Sequence, residues 1–174
     1  MENTTTAADA INLDSIKLSI EYPELLQGNS SATHAAVNIR RALKMAFPGV
    51  KFAVKTRYAS CMSAVEVRWT DGPTVAEVRT LTDRHQYEDF DGMTDSSVTR
   101  QEGKAFRAVY GSARFVTATR EWSDAAVEFA LEFIANRYGM ATPTIAQFRN
   151  GELNREMNWW YQMGRVLENQ GQSL

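Results

Sequence analysis

The chain has 174 residues, 44% of them hydrophobic, with a single cysteine and a formal net charge of −2. That size suits one globular domain burying about 70% of its unfolded surface. One cysteine excludes an intrachain disulfide, and no apolar run approaches the ~20 residues of a membrane span.

Residues 1–30 read as an N-terminal segment, partly flexible, whose first dozen residues are small and polar. Met1-Glu2-Asn3 lacks the basic start and apolar block of a signal peptide, so a cytoplasmic protein is expected. A short helical or extended piece fits Asp14 to Tyr22, and Pro23 and Gly28-Asn29-Ser30 follow as a loop. Ser31 caps a helix to about Phe47. Ala32, Ala36, Ile39, Leu43 and Phe47 form its buried stripe, with Arg40, Arg41 and Lys44 off it. Pro48-Gly49 ends it.

Lys51 to Tyr58 and Ser63 to Thr70 alternate as the two strands of an antiparallel hairpin. Val54, Val65, Val67 and Trp69 face the core. Lys51, Lys55, Arg57 and Arg68 surround a single Glu66 on the outer face. Asp71-Gly72 makes a turn, and the Thr74/Glu77 spacing suits a capping box opening a helix that ends near His85 to Tyr87. Glu88 to Ser97 reads as an acidic loop. Strands are predicted at Phe106 to Tyr110 and Ala113 to Thr119, with Gly111-Ser112 as a tight hairpin turn. Ser123 caps a helix over Asp124 to Tyr138, stopped by Gly139. A short segment from Pro143 to Phe148 and a last helix over about Glu152 to Glu168 complete the chain. The pattern predicts an α+β fold: a small antiparallel sheet of two hairpins packed against helices, with C-terminal helices. The expected organisation is one α+β domain over 31–139, with a helical extension over 140–174 packed on it.

Charge is distributed in blocks. Residues 33–70 carry seven bases and one acid, whereas 71–99 carry seven acids and two bases. Such polarity suits either mutual neutralisation across the fold or separate binding faces. The chemistry of catalysis is thin. His34, His85 and Cys61 share no metal-ligand spacing, and the acids Glu88, Asp89, Asp91 and Asp95 lack the ligand pattern of a calcium loop. No phosphate-binding glycine loop and no nucleophile motif occurs. No enzyme activity, metal or cofactor is therefore expected.

Binding surfaces are better supplied. Arg40, Arg41, Lys44, Lys51, Lys55, Arg57 and Arg68 offer phosphate contacts, with Tyr58 as a stacking ring if exposed. In the last helix, Trp159, Trp160 and Tyr161 span about 200° of surface. Leu153, Met157, Trp160, Gly164 and Leu167 form one stripe that would dock on the domain. Trp159, Met163 and Val166 form a second, either buried or a contact for a partner or a second copy.

Three groups of motifs resemble a known family. They are Ala35-Ala36-Val37-Asn38-Ile39-Arg40-Arg41-Ala42-Leu43-Lys44 with Phe47-Pro48-Gly49-Val50-Lys51-Phe52; Val67-Arg68-Trp69-Thr70-Asp71-Gly72-Pro73-Thr74 with Phe90-Asp91-Gly92-Met93-Thr94-Asp95; and Tyr110-Gly111-Ser112-Ala113-Arg114-Phe115 through Arg120-Glu121. Together, over roughly residues 33–135, they resemble the large polyvalent protein-associated domain family, the type numbered twenty-nine. The resemblance implies a phage or conjugative-plasmid origin and a bacterial host cytoplasm, and it carries over no catalytic residue. By analogy it suggests a non-enzymatic inhibitor of a host defence complex, such as a CRISPR or restriction system. That reading uses Glu88, Asp89, Asp91, Asp95, Trp159 and Met163 as partner contacts. A nucleic-acid accessory role through the basic hairpin is the alternative, and homodimerisation through the last helix stays open.

Overall fold

The computed structural model describes residues 16–60, 62–93, 95–155 and 158–170. Residues 16–21 are helical (α1). Then follow α2 (Ala32–Ala46), β1 (Ala53–Ala59), β2 (Met62–Thr70) and α3 (Val75–Thr82). A 3₁₀ turn (Asp83–His85), β3 (Glu88–Asp91), β4 (Ser96–Thr99), α4 (Lys104–Tyr110) and β5 (Phe115–Glu121) come next. The chain continues with α5 (Asp124–Tyr138), α6 (Ile145–Arg149), a second 3₁₀ turn (Glu152–Arg155) and α7 (Trp159–Gln170). The fold class is α+β. Two compact units are present, one built from the chain up to Arg68 with Val75–Thr119, the other from Trp69–Thr74 with the chain from Arg120 onward.

In the first unit, α2 starts as its sequence dictates. Ser31 is extended (ψ 153°) and its hydroxyl accepts the His34 N–H at 3.2 Å. The stripe of Ala32, Ala35, Ala36, Ile39, Ala42 and Leu43 is buried, and α2 packs on β1, α3 and α4. One polar residue joins it. Asn38, fully buried, accepts the Leu26 N–H at 2.8 Å and donates to the Leu26 and Tyr110 carbonyls, each at 2.9 Å. It thereby satisfies backbone groups that no helix or ladder serves.

β1 and β2 pair antiparallel, with Lys55 opposite Glu66 and Ala53 opposite Arg68. The sheet order is β1-β2-β5. Arg114 N–H donates to Ser63 Oγ (3.2 Å) at the head of β5, and Asp71 N–H to the Glu121 carbonyl (2.9 Å) past its far end. The third strand thus runs parallel to β2, and the sheet is mixed.

Two segments differ from the sequence reading. The hairpin predicted at Phe106–Tyr110 and Ala113–Thr119 is absent, because its first arm is helix α4. Phe106 and Tyr110 are spaced i, i+4 and both are buried on one helix face. Gly111 makes no hairpin turn but stops that helix at φ +89°. An added Cβ there would lie 2.2 Å from the Ala35 nitrogen, so the chain passes too close to α2 for any side chain. The second discrepancy is the acidic loop, which is itself a hairpin: β3 and β4 pair antiparallel from Glu88 opposite Thr99 to Asp91 opposite Ser96.

In the second unit, the Trp69-to-Thr74 turn and the Arg120-to-Ser123 segment interlock. Asp71 (φ +55°) accepts the Ser123 N–H at 3.0 Å, and Arg120 donates to the Asp71 and Gly72 carbonyls at 3.3 and 2.6 Å. The Arg120 guanidinium lies 3.8 Å from the Trp122 ring centre. Ser123 caps α5 through the Ala126 N–H, and Gly139 ends it at φ +64°. The last helix begins at Trp159, later than expected, after a 3₁₀ turn. Its Trp159, Met163 and Leu167 pack with Val127, Ala130, Leu131 and Ile134 of α5 and Phe148 of α6.

Candidate functional site

Alternation along β1 and β2 sends every second side chain to solvent. Val54, Val65 and Val67 are buried. Lys55, Arg57 and Arg68 are exposed on the opposite face, and Lys51 is exposed two residues before β1. Glu66 alone opposes them there: its carboxylate takes Arg57 Nε at 2.6 Å and Arg68 Nη2 at 3.8 Å. Among the described residues, Lys51 and Lys55 have no carboxylate within 4.0 Å. The outer face of the hairpin therefore holds four cations against one acid, a net +3. Exposed Thr117, Thr119 and Glu121 of β5, opposite buried Val116, extend it with two neutral hydroxyls and a second acid.

The helical bases divide. Arg40 donates to the Val54 carbonyl at 2.5 Å, which brings its charge to the edge strand β1. Lys44 is exposed one turn further along the same side of α2. Arg41 turns away to the Glu24 carbonyl at 2.8 Å. Tyr58 is exposed, but it alternates with the buried Val54 rather than with the cations, and its hydroxyl is held 2.8 Å from Thr33 Oγ1. It does not supply a stacking ring to the basic face.

The acidic candidates are largely occupied. Glu88 pairs with Arg114, which also reaches Ser97. Asp89 pairs with Arg100 at 2.5 Å, and that guanidinium holds its carboxyl below the usual range. Asp91 accepts the Met93 N–H at 2.9 Å, a turn bond, and Asp95 sits at φ +49° in the same turn. The hairpin still presents apolar groups to solvent, with Phe90 59% and Met93 96% exposed.

The aromatic-helix surface is corrected. Trp159 is 2% and Met163 1% exposed, both in the core against α5, so neither is available to a partner or a second copy. Met157 of the other stripe, like Cys61, lies outside the described residues. His34 is tied to the Leu26 carbonyl at 2.8 Å. His85 is fully buried with Nδ1 at 2.9 Å from the Gly111 carbonyl, and burial lowers its pKa to about 4. Among the described residues, no three His, Cys, Asp or Glu side chains converge to hold a metal, and no helix is long and apolar enough to cross a membrane.

A family model described as large polyvalent protein associated domain 29 matches residues 30–127, more than half of the chain. No curated protein and no solved structure matches it.

Proposed function

The chain belongs to the large polyvalent protein associated domain 29 family, and from that premise we propose that it is a non-enzymatic accessory protein binding nucleic acid across the outer face of β1 and β2. Membership fits a phage or mobile-element setting. The observation that carries the proposal is the face itself: Lys51, Lys55, Arg57 and Arg68, all exposed, against Glu66 on one sheet surface. Alternate residues of a strand lie about 6.6 Å apart, so Lys55 and Arg57 address successive charges of an extended polyanion. Contacts of this kind go to phosphates, and binding is sequence-independent and steeply salt-dependent.

Fluorescence anisotropy with single- and double-stranded DNA across salt tests this. Three phosphate contacts give a slope of log affinity against log salt of about −2 for single strands. The Lys55→Glu, Arg57→Glu double variant changes only exposed positions and should lose binding at least about tenfold. Salt-insensitive binding, or none, contradicts the proposal.

A second reading is blockade of a host defence complex, of CRISPR or restriction type, through protein contact. The exposed Phe90 and Met93 beside Asp91 and Asp95 on the β3–β4 hairpin favour it, since apolar residues ringed by charge suit a protein interface. Pull-down of purified defence complexes with wild type and Phe90→Ser, Met93→Ser tests it; equal capture by both removes this contact.

A further inference from the structure

Away from the basic sheet face, the first unit contains a cleft of about 690 Å³ beside α1, the 3₁₀ turn and the start of α4. That volume is in the ~300–1,000 Å³ range of small-molecule sites. Three guanidiniums line it, and they are not equivalent. Arg100 is committed to the Asp89 carboxylate and the Asp83 carbonyl. Arg107 is 6% exposed and donates to the Glu102 and Arg100 carbonyls, each at 2.5 Å. Arg84 lies over the Tyr22 and Phe106 rings, 5.0 and 5.7 Å from their centres, and donates to the Thr80 carbonyl. Among the described residues, neither Arg84 nor Arg107 has a carboxylate within 4.0 Å.

Buried cations are ordinarily paired with anions. Carbonyl dipoles orient Arg107 but leave its charge, and burial with the nearby Arg100 lowers its pKa. The rest of the lining narrows what would answer that charge. Asp83 and Glu102 also face the cleft; among the described residues neither forms an ion pair within 4.0 Å, although Asp83 acts electrostatically on Arg100. They disfavour a bare anion and suit a ligand that also carries hydrogen-bond donors. Phe106 is 6% exposed and enclosed by Tyr22, His85 and Tyr110, so half-buried Tyr22 is the ring that suits a flat partner.

We propose that this cleft binds a nucleoside monophosphate, with the phosphate at Arg84 and Arg107, the base against Tyr22, and hydroxyl or amino donors at Asp83 and Glu102. Arginine forks suit phosphate oxygens, and the accessible part of the Tyr22 ring supplies area for the base.

Calorimetry on the intact chain with AMP, CMP, GMP and UMP, beside adenosine and inorganic phosphate, tests it. At least one nucleotide should bind about tenfold or more tighter than adenosine and phosphate. Arg84→Ala should weaken that binding about tenfold, while Arg137→Ala, at an exposed position of α5, leaves it unchanged. If Arg84→Ala fails to fold by circular dichroism, Tyr22→Leu must give the same loss. No binding of any nucleotide at roughly 5 mM, equal affinity for inorganic phosphate, or undiminished affinity in the folded variant overturns the assignment.

Discussion

Arg57 Nε and a Glu66 carboxylate oxygen stand 2.6 Å apart across the β1–β2 hairpin. Glu66 also lies opposite Lys55 in the register. One acid thus holds back part of the charge of a basic face, so neutralising it should strengthen polyanion binding. Glu66→Gln is expected to bind single-stranded DNA more tightly at low salt. Its salt slope should steepen by about 0.7, one further phosphate contact. Anisotropy at four salt concentrations checks this, and the change should leave stability within about 1 kcal/mol, as for other exposed ion pairs.

His85 makes stability depend on pH. Burial holds its folded-state pKa at about 4, below the ordinary 6.5. The unfolded chain therefore binds the proton first. The stabilising preference for neutral imidazole is fully present above pH 6.5 and is lost as pH falls from there toward 4. The full effect is about 3 kcal/mol. Urea unfolding at pH 7.0 and 4.5 should show the loss in wild type and a smaller one in His85→Gln.

Gly111 joins two demands, a φ of +89° and a backbone approach that places an added Cβ 2.2 Å from the Ala35 nitrogen. Gly111→Ala should destabilise by about 3 kcal/mol or more, from backbone strain and displacement of α2 together. Gly139→Ala is the control. It has positive φ but nothing within 4 Å of its added Cβ, so it should cost only about 1 kcal/mol. Denaturant midpoints of the two variants separate strain from collision.

Trp159 packs with Leu131 and Ile134 on α5. Trp159→Ala should destabilise by about 3–5 kcal/mol, as for other large-to-small core changes. Light scattering should show no change in oligomeric state at temperatures where the variant stays folded.

Much of the fold was legible where periodicity ran long enough between clear stops. Ser31 and Pro48-Gly49 bracket α2, Ser123 and Gly139 bracket α5, and β1–β2 alternates cleanly. The basic face was legible for the same reason, since period two fixes which of Lys55, Arg57, Glu66 and Arg68 share a side. Over Lys104–Tyr110, seven residues satisfied both periods: Phe106, Ala108 and Tyr110 alternate, yet Phe106 and Tyr110 are also one helical turn apart. Burial beside Tyr22 and the stop at Gly111 decided for helix. The β3–β4 hairpin was hidden because each face carries a single apolar residue, Phe90 or Val98, both exposed, and its acids are tied by Arg100 and Arg114 from later in the chain. Trp159 and Met163 made one of two available stripes, and α5 receives them together with Leu167 of the other. Arg84, Arg100 and Arg107 converge through tertiary contacts that no local spacing encodes.

The most direct test of the basic face is amide chemical-shift mapping on addition of a twelve-nucleotide single strand at low salt. Perturbed amides should cluster at Lys51, Lys55–Arg57 and Glu66–Arg68, and revert as salt is raised. Perturbations confined to Glu88–Thr99 or to α5, or no perturbation at all, would contradict it.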